Sequence, residues 1–96
     1  MGRFLVEIPH SDEATQCTGL VKVFLSSGSH LLTNAEWGCQ DGVHTGWLIV
    51  EVDSKEEALS IVPSAFRSYA NVVELNSFTL DFINSEIERL EGDAAR

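Results

Sequence analysis

Two histidines and a cysteine in the first half of the chain carry side chains that bind transition metals. His10 follows the first predicted strand, and Cys39 and His44 lie on a predicted hairpin turn at residues 38–44. Imidazole and thiolate groups, with a carboxylate beside them, suit zinc, nickel or copper. The sequence therefore predicts a transition-metal site formed by His10, Cys39 and His44, with Glu36 within reach.

The predicted position of these residues, rather than a known ligand spacing, supports the metal site. Cys-x4-His is not a recognised metal motif. In the predicted sheet the first strand ends beside the start of the third, which brings His10 and His44 together, whereas His30 lies at the opposite end and is excluded. The alternatives are a surface turn with hydrogen-bonding histidines, or Cys39 acting as a nucleophile or redox thiol. Cys17 is assigned to the core face of the first helix.

Carboxylates on the sheet face that no helix covers form a second candidate site. A carboxylate held among apolar side chains is suited to general acid or base catalysis, such as proton transfer beside a carbonyl group. An arginine near the same end is suited to a ligand carboxylate. The alternative is that the glutamates pair with arginines or with a second copy of the chain. The predicted catalytic residues are Glu7 and Glu51, and the predicted ligand-binding residues are Trp47, Arg67 and Glu36.

Apolar patterns predict the strands and helices that position these groups. Strands are predicted at 3–8, 30–37, 45–52 and 71–78, and helices begin at Ser11, Ser54 and Thr79. This order is the ferredoxin-like βαββαβ pattern of an α+β domain. Right-handed crossovers then give an antiparallel sheet of order 4-1-3-2, followed by an extra C-terminal helix. Residues 1–90 form the single predicted domain, and 91–96 a frayed tail.

The two faces of the predicted sheet differ in polarity. The uncovered face is too apolar to stand in water alone and too polar to be a simple core. A homodimer that packs this face against a second copy satisfies both conditions. The predicted covered face carries Phe4, Val6, Ile8, Leu48, Val50, Val52, Val73 and Leu75; the predicted open face carries Leu5, Leu32, Trp47, Ile49, Val72 and Phe78 among Glu7, Asn34, Glu36, Glu51, Glu74 and Asn76.

The second half of the chain resembles a known family in its layout. Residues 47–59 form a strand that ends in an acidic turn and opens a Ser-x-x-Glu-Ala helix, and the link at 63–66 contains a proline. This layout, over residues 30–78, is similar to muconolactone isomerases of the dimeric α+β barrel superfamily, although the Trp-Gly-Cys turn is not part of that pattern. The resemblance implies a paired, ferredoxin-like chain with a small-molecule cavity, and it implies no particular reaction.

Composition excludes several classes of partner. The net charge is −9, from 15 acidic and 6 basic residues, which argues against a nucleic-acid partner and an anionic membrane surface. No apolar run reaches the ~20 residues of a membrane span, and the first residues do not predict a signal peptide. Two cysteines are too few for a disulfide framework, so we expect a reduced, cytoplasmic protein.

These observations favour a binding protein. The predicted function is binding of a metal ion or small molecule near the exit of the first strand and the 38–44 hairpin. One alternative is a cofactor-free isomerase or monooxygenase-like enzyme that uses the open-face carboxylates. Another is a structural or interaction module without a site.

Overall fold

A four-stranded antiparallel sheet with helices on one face forms the body of the protein. The computed structural model describes residues 1–94. Within that range, no helix combines the length and the apolar character needed to cross a membrane. The elements are β1 (Gly2–Pro9), α1 (Ala14–Ser26), α2 (His30–Thr33), β2 (Glu36–Trp37), β3 (Thr45–Val52), α3 (Lys55–Ile61), β4 (Asn71–Leu75) and α4 (Leu80–Ala94), with 3-10 turns at Cys39–Asp41 and Ser64–Tyr69.

The strand order confirms the predicted α+β sheet. The order is β2-β3-β1-β4, which is the predicted 4-1-3-2 viewed from the other edge. The two central strands, β1 and β3, pair along their whole length, from Gly2 opposite Val52 to Pro9 opposite Thr45. Because both are long and central, they fix the frame on which the loops at either end are held.

The core lies between the sheet and the helices α1 and α3. Phe24 of α1 and Val62 after α3 are completely buried against Val6 and Ile8 of β1. The covered face predicted for β1 and β3 is thereby confirmed. The buried apolar cluster consists of Phe4, Val6, Ile8, Leu20, Phe24, Leu32, Leu48, Val50, Ala58 and Val62.

The predicted second strand, 30–37, is wrong in its first half. Residues 30–33 form the short helix α2, because the Ser29 hydroxyl accepts the Leu32 N–H and caps its first turn. Leu32, predicted on the open face, is instead only 4 % exposed within the core. The strand that remains pairs Glu36 with Trp47 and Trp37 with Gly46.

The predicted faces of the fourth strand are reversed. Val72 lies opposite Val6 and packs on the core, while Val73 lies opposite Leu5 and is 43 % exposed. Glu74 pairs with Phe4 and so does not share the open face. The sequence pattern gave the wrong faces because apolar residues stand at both odd and even positions of this strand. Pairing with β1 therefore decides which of them is buried.

The three longer helices, like α2, begin at side-chain caps. Glu13, rather than the predicted Ser11, caps α1: its carboxylate accepts the N–H groups of Gln16 and Thr15, and both bonds hold the pKa of Glu13 below its ordinary value. The Ser54 cap of α3 is confirmed, with its hydroxyl 3.1 Å from the Glu57 nitrogen. The Thr79 cap of α4 is confirmed by a 3.1 Å bond from the Phe82 N–H.

Helix α4 projects from the body and gives the molecule extents of 58 × 28 × 22 Å. It continues through residue 94, four residues into the predicted frayed tail, and 95–96 lie outside the described residues. Arg89 bonds to Glu86 and Asp93 across this last part, which supports the helical turn. The apolar side chains along the helix are exposed, namely Leu80, Phe82, Ile83, Ile87 and Leu90.

Candidate metal centre

His10 and His44 meet where the pairing of β1 with β3 ends. The His10 N–H donates to the His44 carbonyl oxygen at 2.9 Å, one step beyond the pair of Pro9 with Thr45. The two imidazole rings stand edge to face, with centroids 5.7 Å apart. The strand register therefore brings together the two histidines that the sequence placed at one end of the sheet.

Cys39 reaches the same place on the hairpin turn. The Gly38 carbonyl oxygen accepts the N–H groups of Asp41 and Val43, and Gly42 closes the turn with a φ of 84°. Glycine adopts this left-handed conformation without strain. The turn places the Cys39 sulfur 3.3 Å from Nε2 of His10.

Cys17 completes the group from the first turns of α1. The sequence predicted a packing residue, and Cys17 is indeed only 8 % exposed. Its sulfur nevertheless lies 3.2 Å from the same His10 Nε2. The prediction missed this role because a buried thiol on an apolar helix face has the pattern of an ordinary core residue. The available signal was the short link from His10 into α1, which folds the start of the helix back over the strand's end.

The geometry of the four side chains suits a tetrahedral metal ion. One ligand atom from each of His10, Cys17, Cys39 and His44 lies within 4.8 Å of all the others. Around tetrahedral zinc, the usual bond lengths place sulfur and nitrogen ligands about 3.5 Å apart. The two nitrogen–sulfur distances of 3.2 and 3.3 Å are already close to that value. Small side-chain movements are therefore enough to seat an ion.

The second nitrogen of His10 is held by the backbone. Nδ1 lies 3.1 Å from the Ile8 carbonyl oxygen, which can only accept a hydrogen bond. Nδ1 therefore carries the proton, and the lone pair of Nε2 is directed at the two sulfurs. A backbone carbonyl on the far nitrogen is a common support for a metal-binding histidine.

The His44 ring has an unpaired atom. Its Nδ1 is buried and has no hydrogen-bond partner among residues 1–94. Buried polar atoms are normally paired, so this unpaired ring nitrogen needs an explanation. A metal ion bound at this nitrogen would supply its missing partner.

The closeness of the two thiols makes it harder for Cys17 to lose its proton. The hydrogen bond with Cys39, burial, and the nearby Cys39 charge all raise the pKa of the Cys17 thiol above its ordinary value. Two neighbouring thiolates repel each other unless a cation lies between them. A divalent ion supplies that cation, and binding it must release the thiol protons.

Aromatic packing fixes the position of the His10 ring. Trp37 lies edge-on to His10, with centroids 5.8 Å apart, and edge-on to the buried Phe24 at 5.2 Å. Gly46 makes room for this indole, because a Cβ there would lie 2.6 Å from the Trp37 ring. The core and the candidate site are thus joined through one tryptophan.

Three other predicted site residues lie together on the open face. The Trp47 indole N–H donates to Glu7 at 3.4 Å, and Glu36 lies opposite Trp47 in the strand register. Glu36 is therefore near the indole and is not one of the four candidate metal ligands. Glu36 and Trp47, but not Glu7, line a shallow cavity of about 240 Å³, together with Leu5, Asn34, Leu48 and Ile49.

Glu51 and Arg67 lie away from these groups. Glu51 is exposed opposite Arg3, four ladder steps from Glu7, which is roughly 13 Å along the strand. The Arg67 guanidinium donates to the carbonyl oxygens of Val62 and Ser60 and so caps the end of α3. Glu7 and Glu51 are therefore separate candidates on the open face, and Glu51 is not near Trp47.

Two grooves flank α1 beside the four candidate metal ligands. A groove of about 830 Å³ is lined by both Cys17 and Cys39, with Trp37 and Lys22 on its walls. The groove on the other side, of about 740 Å³, reaches His10. The first of these gives small solutes a path to both sulfurs.

Comparison with known proteins gives no relative. No protein-family model, no curated protein and no solved structure matches the chain. The chemistry of the site itself therefore carries the functional conclusion.

Proposed function

We propose that this protein binds one transition-metal ion, with zinc the best fit, through His10, Cys17, Cys39 and His44. The observation that carries the proposal is the convergence of four ligand atoms within 4.8 Å of one another. They come from the exit of β1, from α1 and from the hairpin before β3. Neither cysteine is in a disulfide, so both sulfurs are free to bind an ion.

The type and number of ligands favour zinc in a closed site. Two thiolates and two imidazoles match the usual tetrahedral coordination of structural zinc. Four protein ligands leave no open position for a water molecule or substrate, so the proposed role is structural or storage binding rather than catalysis by the metal. Nickel and copper also accept these ligands and belong in the same test.

Hydrogen bonds alone are the competing explanation for the cluster. A thiol can donate to the lone pair of an imidazole, and one such bond accounts for one sulfur beside His10 Nε2. The second thiol can donate to the first, since Cys17 and Cys39 are hydrogen-bonded to each other, so hydrogen bonds can account for the distances of 3.2 and 3.3 Å. The unpaired Nδ1 of His44 is a group that hydrogen bonding leaves unexplained. A metal ion bound at this Nδ1 would supply its missing partner.

The test is metal analysis of purified, untagged protein and of two histidine variants. We expect near-stoichiometric zinc in the wild type after incubation with zinc, nickel and copper in competition. His44→Ala should lose that metal because it removes one of four ligands. His30→Ala, which changes an exposed histidine on α2, should retain it. Metal-free wild type, or equal metal in both variants, contradicts the proposal.

We also propose a ferredoxin-like fold and a homodimer paired through the open face. The βαββαβ order and the antiparallel sheet support the first, and the exposed Ile49 and Val73 on the uncovered face support the second. The apolar stripe of α4 adds surface that a second copy would remove from water. Sedimentation equilibrium is expected to give twice the 10.6 kDa chain mass. A monomer at micromolar concentration contradicts the dimer and leaves the metal site untouched.

A cofactor-free isomerase or monooxygenase-like enzyme stays the second prediction. The feature that supports it is Glu7 beside Trp47 on the open face, since a dimer would enclose the shallow cavity there. A structural or interaction module without a site stays the third. Failure to bind metal would leave these two predictions to be compared.

A further inference from the structure

We propose that Cys17 and Cys39 form a redox switch, in which a peroxide converts the two thiols to a disulfide and expels the metal ion. The release of metal rests on the proposed function, whereas the formation of the disulfide does not. The chain has two cysteines, both are unpaired, and they come from separate elements that meet at His10.

The positions of the sulfurs place them within reach of a bond. Both contact Nε2 of His10, and they lie no more than 4.8 Å from each other. A disulfide requires about 2.05 Å between the sulfurs, so the approach needed is less than about 3 Å. Cys39 lies on a 3-10 turn between two glycines, Gly38 and Gly42, where the backbone can adjust.

Exposure decides which thiol reacts first. Both cysteines line the groove of about 830 Å³, but Cys39 is half-buried whereas Cys17 is buried. Hydrogen peroxide entering the groove therefore meets Cys39 more readily.

The reaction proceeds in two balanced steps. The Cys39 thiolate attacks one peroxide oxygen, the O–O bond breaks, and the products are a sulfenic acid and, after protonation, water. The Cys17 thiolate then attacks the sulfenic sulfur, the S–O bond breaks, and the hydroxide leaves as a second water. Two thiolates, one peroxide and two protons thus give one disulfide and two waters, and the peroxide is the species reduced.

Loss of the thiolates removes the metal. Disulfide sulfurs carry no charge and are poor ligands, so His10 and His44 alone would hold the ion. Two neutral imidazoles lack the charge and the number of ligands of the original site. A thiol reductant, by exchange with the disulfide, restores both thiolates and the capacity to rebind metal.

The experiment treats zinc-loaded wild-type protein with equimolar hydrogen peroxide. We expect zinc release, seen with a chromogenic chelator, and a mass decrease of about 2 Da for the two hydrogens lost on disulfide formation. Peptide mapping should join the peptides of Cys17 and Cys39 within one chain. Excess thiol should restore both the mass and zinc binding. A mass increase from sulfinic acid, with no linked peptides, overturns the proposal.

Two variants separate this proposal from the proposed function. His44→Ala keeps both thiols, so it should form the disulfide with peroxide even without bound metal. Cys17→Ser removes the resolving thiol, so its Cys39 should stop at the sulfenic acid or oxidise further, as a sulfenic-acid trapping reagent would report. Disulfide formation in a wild type that never binds zinc would refute the proposed function alone. Zinc binding without a disulfide would refute the switch alone.

Discussion

Saturating zinc is expected to raise the melting temperature of the wild-type protein by about 15–30 °C. A ligand at a thousand times its dissociation constant stabilises the folded state by about 4 kcal/mol. For a domain of this size, each kcal/mol moves the midpoint by about 4–8 °C. The ion also links β1, α1 and the hairpin, which come together only in the folded protein, so the unfolded chain has no comparable site. Differential scanning calorimetry in zinc and in chelator measures the difference.

A variant that lacks one ligand provides the control for this shift. Loss of an outer-shell partner already lowers metal affinity by about 10- to 100-fold, and loss of a ligand should cost more. His44→Ala should therefore show the melting temperature of the chelated wild type, with or without zinc. His30→Ala should show the full shift. An equal shift in both variants would mean that zinc binds at the acidic surface and not at this cluster.

Phe24→Ala is expected to destabilise the protein by about 3–5 kcal/mol, the usual range for removing a buried aromatic ring. Phe24 is completely buried, and its ring packs against Trp37 at 5.2 Å and Phe66 at 6.2 Å. The neighbours belong to β2 and to the turn after α3, so they cannot easily collapse into the space. Urea denaturation of the metal-free protein measures the loss.

The same substitution should also weaken metal binding, because Trp37 stands between Phe24 and His10. Leu25→Ala is the matched control: it changes the next residue of α1, which is exposed, and should alter stability by no more than about 0.5 kcal/mol. A loss below about 1 kcal/mol for Phe24→Ala would show that the core repacks around the gap. Unchanged zinc affinity would show that Trp37 keeps its place without the ring beneath it.

The parts of the fold that the sequence predicted are those with one consistent signal. In β3, residues 45–52 carry apolar side chains on both faces, and both the strand and its central position are confirmed. Residues 30–33 have two apolar residues in succession and are too few to distinguish a strand from a helix, and the Ser29 cap favours the helix. In β4, Val72 and Val73 are equally apolar, so only pairing with β1 could assign the buried face.

The site was predictable to the extent that it depended on the sheet. Pairing of β1 with β3 follows from the topology, and it brings His10 beside His44. Cys17 depended on how α1 packs over the end of β1, which no local pattern specifies. Arg67 was predicted to bind a ligand from its charge and its expected position, and no sequence pattern indicated that its guanidinium donates to the carbonyl oxygens of Val62 and Ser60.

The four ligands form two pairs that are close in sequence, and this arrangement affects which part of the protein unfolds locally. His10 and Cys17 flank the start of α1, and Cys39 and His44 flank the hairpin, so an ion between the pairs closes a loop around residues 17–39. That loop contains most of α1 and all of α2, whereas the central strands are already held by continuous pairing. The protection gained against amide hydrogen exchange should therefore fall mainly on α1 and α2. In the metal-free state these helices become the first part of the body to open.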